Sequence, residues 1–263
     1  MTTNIESIRS SVSETWLSVR FEMLKHLKRR RLLILLALAI LLPLLPLIGK
    51  PDTALEFAAN SLGFIMVLII VSAAMFAGDA VSGEFEKKTS LLLFPTPQDR
   101  SSIFAGKYVA ALVSTFVVVS LWYLVLTLEI GPLYGWGEMP ADLWKSFLTA
   151  LVFSTAAVSV AFFVSSVLKR SLSATIVVFL ILMMILPIAS MIMTRLEAEP
   201  WFIVTYSANL VTTVLGVSSS VHMGPRHMAQ QFTPTLGTGI AVMVTYAIVG
   251  LAAGMRTALR RED

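Results

Sequence analysis

The run Lys28-Arg-Arg-Arg31 followed by LLILLALAILLPLLPLI (32–48) decides the fold class of this chain. The residues from Leu32 to Ile48 are uncharged, and apolar blocks of this length are typical of transmembrane helices. The basic residues that precede the block are typical of the cytosolic side of a membrane. The stretch therefore predicts a first span that begins in the cytosol, and Pro43 and Pro46 predict a kink in its outer half.

Five further apolar blocks follow, and the predicted spans are residues 32–48, 62–77, 108–128, 147–168, 172–194 and 238–255. The composition agrees, since 56% of the 263 residues are hydrophobic and 14% are charged, against about 25% charged residues in soluble domains. We predict an all-α polytopic membrane protein, a six-transmembrane-helix bundle preceded by an N-terminal amphipathic interfacial helix.

The distribution of Lys and Arg predicts the orientation of the chain. With a cytosolic N-terminus, sixteen of these residues lie inside and four lie outside, namely Lys50, Lys145, Arg195 and Arg226. We expect a multi-pass protein of the plasma membrane with both termini in the cytosol. The net charge of +4 is a consequence of this topology, so no nucleic-acid partner is expected.

The regions outside the spans have distinct characters. Residues 5–27 carry apolar side chains at steps of three or four, which predicts an amphipathic helix on the cytosolic leaflet. This helix either anchors the chain beneath the bundle or transmits motion into the first span. We expect a cytosolic N-terminal helix over 1–31, a transmembrane domain over 32–255 with a cytosolic loop at 78–107 and an outer loop at 195–237, and a cytosolic tail at 256–263.

The sequence carries no enzyme signature. It has no cysteine, and it lacks the HExxH, GxSxG and P-loop motifs. Asp79 and Glu129 are expected at the ends of spans rather than at mid-membrane, which argues against an ion-coupled carrier. We therefore expect no catalytic residue and no cofactor bound by this chain.

The predicted cytosolic loop between spans two and three is the most distinctive segment. It should begin as a charged helix that continues span two from Asp79, followed by an apolar run at 91–94. Two prolines should end that helix, and a short helix should then lead to Lys107 and span three. Four consecutive large apolar residues need burial, either at the membrane interface and bundle or in a groove of a partner.

The spacing of this loop resembles that of the membrane subunit of ABC transporters of the type-2 exporter class. The positions that carry the resemblance are Asp79, Glu84, Glu86, Thr89, Leu91 to Leu93, Pro97, Arg100 and Lys107. The resemblance implies a permease subunit that works, in the export direction, with a separate P-loop ATPase that binds ATP and Mg. It also implies a second permease subunit, in a homodimer or a heterodimer.

The resemblance further implies that the loop docks on the ATPase. The predicted interface residues are Glu84, Phe85, Glu86, Lys87, Lys88, Thr89, Leu91, Leu92, Leu93, Phe94, Pro97 and Arg100. Two alternatives stay open on the sequence, a self-contained carrier or channel and a membrane assembly scaffold without an ATPase.

The outer loop contains two His-Met pairs, His222-Met223 and His227-Met228. Imidazole and thioether groups are suitable Cu(I) ligands, so these four residues are a candidate copper site. The favoured interpretation is that they are ordinary loop residues near the lipid headgroups, with no metal bound. The identity of the cargo cannot be derived from the sequence.

Overall fold

The computed structural model describes residues 2–28, 30–49, 51–86, 99–216 and 232–261, with side chains described from 13 onward in the first helix. Within these residues every regular element is helical. Six helices are long and apolar enough to cross a membrane: Arg31–Gly49, Ala54–Phe76, Arg100–Tyr134, Leu143–Val167, Ser171–Arg195 and Leu236–Arg260. These are spans one to six below, and they confirm an all-α polytopic membrane protein.

Two spans depart from regular α-helix, and prolines accompany both departures. Span one is α-helical over Arg31–Leu41 and 3₁₀-helical over Leu42–Gly49, where two prolines lack the N–H groups of a regular ladder. Span five contains a wide π turn at Ile181–Ile185 between its α-helical halves. That turn lies just before Pro187, whose ring clashes with the carbonyl four residues earlier in a regular helix.

Span two begins earlier than predicted and ends sooner. Thr53 caps its N-terminus by accepting a hydrogen bond from the Glu56 N–H at 3.2 Å, which moves the start from 62 to Ala54. The helix ends at Phe76, and residues 77–81 form turns before a separate short helix at Ser82–Glu86. The predicted continuation of span two as a charged helix is therefore wrong. The chain turns at Gly78, whose N–H donates to the carbonyls of the last turn.

Span three corrects two further expectations. It is one helix over Arg100–Tyr134, so the predicted short helix before Lys107 is part of the span itself. Glu129, expected at the end of the span, lies within it, and its two carboxylate oxygens are buried without a hydrogen-bond partner among the described residues. Both errors arise because the polar residues at the two ends of this helix shortened the apolar block in the sequence.

The core lies between spans two, three and four, with Trp122 and Phe153 fully buried, while spans five and six lie at the periphery. Span six packs closely on span four at Gly250 and Gly254. A Cβ at Gly254 would lie 2.7 Å from a ring carbon of Phe162, so this small-residue pair serves close helix packing, as the sequence indicated.

The N-terminal helix, Thr2–Lys28, packs along the first turns of span three. It buries Val19 and His26 against the bundle and leaves Trp16 and Phe21 exposed. The bundle therefore covers only part of the apolar face that the sequence predicted for this helix. Phe21, which lies beside that face, is a further exposed aromatic ring.

Candidate functional site

A cluster of charged side chains lies where the N-terminal helix, the short helix Ser82–Glu86 and span three meet. We call Ser82–Glu86 the junction helix, and Glu22, Lys25, Glu84 and Lys107 the charged junction. A helix of the length of span three is about 52 Å long, whereas the hydrocarbon core is about 30 Å thick. The helix is therefore longer than the core is thick, and we expect Lys107, in its second turn, near the membrane boundary.

Lys107 is the centre of the charged junction. Its side chain is only 4% exposed, and its ammonium group forms ion pairs with Glu22 and, at 2.7 Å, with Oε1 of Glu84. Lys25 completes the junction, since its Nζ lies 3.1 Å from Oε1 of Glu22 and 3.2 Å from Oε1 of Glu84. Two cations thus face two carboxylates, and each buried charge has partners of opposite sign, as burial requires.

The protonation states of the N-terminal helix follow from this environment. Burial raises the pKa of Glu22, but the charges of Lys107 and Lys25 more than offset it, so that pKa lies below its usual value. Burial lowers the pKa of His26 to about 4 against the opposing charges of Glu22 and Asp79. At neutral pH Glu22 is therefore ionised and His26 is neutral, and the His26 ring contacts Phe76 edge-on at 4.8 Å.

A further ion pair, beside the junction, joins span one to the turn after span two. The guanidinium of Arg31 lies 2.6 Å from Oδ2 of Asp79 and donates a hydrogen bond to the carbonyl of Met75 at 3.0 Å. The turn after span two is thus attached to the first residue of span one.

The opposite side of the junction helix contacts spans four and five. The Ser165 hydroxyl accepts hydrogen bonds from the N–H groups of Val81 and Ser82 at 3.0 and 3.2 Å. The Glu86 carboxylate accepts a hydrogen bond from the N–H of Ser171 at 2.8 Å. Ser171 is the first residue of span five, where a carboxylate satisfies a free N–H and interacts favourably with the helix dipole.

Arg261, at the C-terminal end of the described chain, contacts both the junction helix and the end of span four. The Arg261 guanidinium lies 4.3 Å from the ring centroid of Phe85, and such a cation–π contact is favourable. The same group donates hydrogen bonds to the carbonyls of Ser166 and Leu168 at 3.2 and 2.9 Å. The junction helix therefore has direct contacts with the N-terminal helix, spans three, four and five, and the end of span six.

The structure describes four of the predicted interface residues. Glu84, Phe85 and Glu86 lie together in the junction helix, and Arg100 is exposed at the start of span three. Glu84 and Glu86 have intramolecular partners that the sequence analysis did not anticipate, and their contact with an ATPase stays a prediction. The remaining predicted interface residues lie outside the described residues: Lys87, Lys88, Thr89, Leu91, Leu92, Leu93, Phe94 and Pro97.

The candidate copper residues of the outer loop, namely His222, Met223, His227 and Met228, likewise lie outside the described residues. The copper site is therefore a prediction that the structure does not address.

Sequence reasoning missed most of the junction. Glu22 and Lys25 were assigned to no function, and Lys107 was placed ahead of span three rather than buried inside it. One signal was present, because Glu22 falls next to Val19 on the helical wheel and thus on the face that packs on the bundle. Its pairing with Lys107 joins residues far apart in the sequence, and helical periodicity contains no information on such pairs.

The contacts of the junction helix are suited to mechanical transmission. The four charged groups of the charged junction form ion pairs with one another. A short helix bonded to several other helices can displace them when it is pushed, because packed interfaces shift between discrete arrangements. A displacement of the junction helix would therefore act directly on each of the helices that it contacts.

A known protein family matches the part of the chain that contains the charged junction. The family model described as ABC-2 family transporter protein matches residues 16–263. The match includes the six spans and all residues of the charged junction. No curated protein matches the chain.

Proposed function

This chain is an ABC transporter permease of the ABC-2 family, and from that premise we propose that it exports its cargo on ATP hydrolysis by a separate ATPase subunit. In this proposal the permease binds no nucleotide, and the P-loop ATPase binds ATP and Mg. A second permease subunit, identical or related, would complete the transport path.

The observation that carries the proposal is the set of bonds around the junction helix. The predicted docking segment, from Glu84 to Arg100, begins in the junction helix and ends at the first residue of span three. A movement of that segment is therefore delivered at one end to the junction helix and at the other to span three. The ion pair between Lys107 and Glu84 joins span three to the junction helix. A movement delivered at either end of the docking segment therefore acts on these two helices together.

The proposed orientation places the charged junction in the cytosol. Most Lys and Arg residues between spans lie on this side of the bundle, which is the side where an ATPase that uses cytosolic ATP must bind. Both termini are then cytosolic, and export moves cargo from the junction side to the opposite side. The direction of transport can be tested in inverted vesicles, where export should appear as ATP-dependent uptake.

The coupling proposal is tested by two charge insertions, Leu92→Asp and Phe94→Asp. If the apolar run fills a groove of the ATPase, burying a carboxylate there is strongly unfavourable, and each variant should lose the co-purifying ATPase while still inserting in the membrane. Leu172→Asp is the matched control, because Leu172 is an exposed apolar residue on the same side and its first-turn position tolerates an acid. Normal ATPase retention by both test variants would refute the claim that the apolar run docks on the ATPase.

A further inference from the structure

The N-terminal helix exposes an unusual amount of apolar surface. Trp16 is 69% exposed and Phe21 is 65% exposed, and three leucines of the same helix, Leu17, Leu24 and Leu27, are also exposed. Contiguous apolar surface of this kind requires a cover in an aqueous environment.

Exposed cations lie among these apolar side chains and at the neighbouring helix ends. Arg20 and Lys28 are exposed on the N-terminal helix, and Arg30 is exposed in the turn to span one. Further exposed cations on the same side of the bundle are Lys169, Arg170, Arg256 and Arg260. The exposed acids of this side, within the described residues, are Glu86 and Asp99, so the surface is strongly positive.

The position of the helix brings this surface to the membrane boundary. Span one begins at Arg31, three residues after the helix ends at Lys28. The opposite face is fixed to span three by the charged junction and by close packing at Gly106, where a Cβ would lie 3.0 Å from the carbonyl oxygen of Thr15. The exposed face therefore cannot turn towards the bundle to bury its apolar side chains.

We propose that the exposed face of the N-terminal helix is a binding surface for anionic phospholipids of the adjoining leaflet. The apolar side chains enter the interfacial layer, as in amphipathic surface helices. Arg20, Lys28 and Arg30 bind the lipid phosphates, since long basic side chains place their stems along apolar surface and their charges at the headgroups. The proposal does not rest on the proposed ATPase.

The location of the face is tested with nitroxide labels in reconstituted vesicles. The chain has no cysteine, so Phe21→Cys, Leu128→Cys and Glu138→Cys each give one labelling site. Leu128, exposed on span three, is the lipid control, and Glu138, exposed beyond its end, is the water control. The label at 21 should be accessible to oxygen and shielded from a water-soluble nickel chelate, as at 128. A label at 21 that behaves as at 138, or is shielded only when a protein partner is added, overturns the proposal.

The preference for anionic lipid is tested by neutralising the three cations together, with Arg20→Gln, Lys28→Gln and Arg30→Gln in one variant. Each cation near a charged leaflet contributes about fivefold to binding. The variant should therefore lose on the order of a hundredfold in preference for anionic over zwitterionic phospholipid, measured as lipid retained by the purified chain. Lys145→Gln combined with Arg195→Gln, on the opposite side, is the control. An unchanged preference in the triple variant overturns the proposal.

Discussion

Replacing Lys107 with Met gives the sharpest test of the charged junction. The change keeps an unbranched side chain of nearly the same length and removes the charge that Glu22 and Glu84 share. Removing one partner of a buried ion pair costs about 3–5 kcal/mol, because the remaining charges are left uncompensated. Lys25 stays within 3.2 Å of both carboxylates, so we expect the lower end, about 3 kcal/mol of unfolding free energy.

The assay is thermal unfolding of the purified chain in detergent. A loss of this size should lower the unfolding temperature by roughly 6–12 °C in a protein of this length. Lys145→Met is the control, because Lys145 forms an exposed pair with Asp142 and such pairs contribute at most about 1 kcal/mol. Adding Glu22→Gln and Glu84→Gln to Lys107→Met should restore most of the stability, since the three most buried charges are then all removed and the remaining cation, Lys25, is 32% exposed. A Lys107→Met variant as stable as the wild type, or one that the added changes fail to rescue, would refute the claim that the buried charges of the junction stabilise one another.

The neutral state of His26 predicts a pH dependence: its native pKa of about 4 lies below the ordinary 6.5, so unfolding takes up a proton between these values. Denaturation at a series of pH values should show stability falling as pH falls through that window, and His26→Gln should flatten this part of the profile. Glu86→Gln should lower the unfolding temperature slightly, by the equivalent of about 0.3–1 kcal/mol, with a smaller effect at high salt; equal loss at all salt concentrations would argue against a charge effect on the N-terminus of span five. Gly254→Ala should destabilise by about 1–3 kcal/mol through overpacking against span four, whereas Gly63→Ala, in open space, should be neutral or slightly stabilising; equal effects in the unfolding assay would contradict the close packing.

The number and order of the spans were predictable from the sequence because each depends only on local composition. A block such as 32–48 is too long and too apolar for a soluble helix, whatever surrounds it. A departure from regular α-helix at Pro43 and Pro46 was predictable for the same reason, since a missing N–H acts locally, and the structure shows it as a 3₁₀-helix over Leu42–Gly49. The family was also accessible, because the acids and prolines near 79–100 keep a characteristic spacing.

The charged junction was not predictable, because its pairs join residues remote in the chain. Lys107 looks like the flank of a span until the helix is seen to start at Arg100, and only then does a buried lysine need partners. Glu22 looks like a solvated residue of a surface helix until that helix is packed on span three. The turn after Phe76 was missed because its end is held by tertiary bonds, from the N–H groups of Val81 and Ser82 to the Ser165 hydroxyl, and local composition does not reveal such bonds.

Co-purification of the tagged chain from its native membrane tests the central claim most directly. The bound proteins should be identified by mass spectrometry and the complex assayed for ATP hydrolysis. A stoichiometric P-loop ATPase, retained by the wild type and lost on changing residues 84–97, is the predicted result. A chain that purifies without an ATPase and without ATP hydrolysis would contradict the claim that a separate subunit drives this permease through the junction helix.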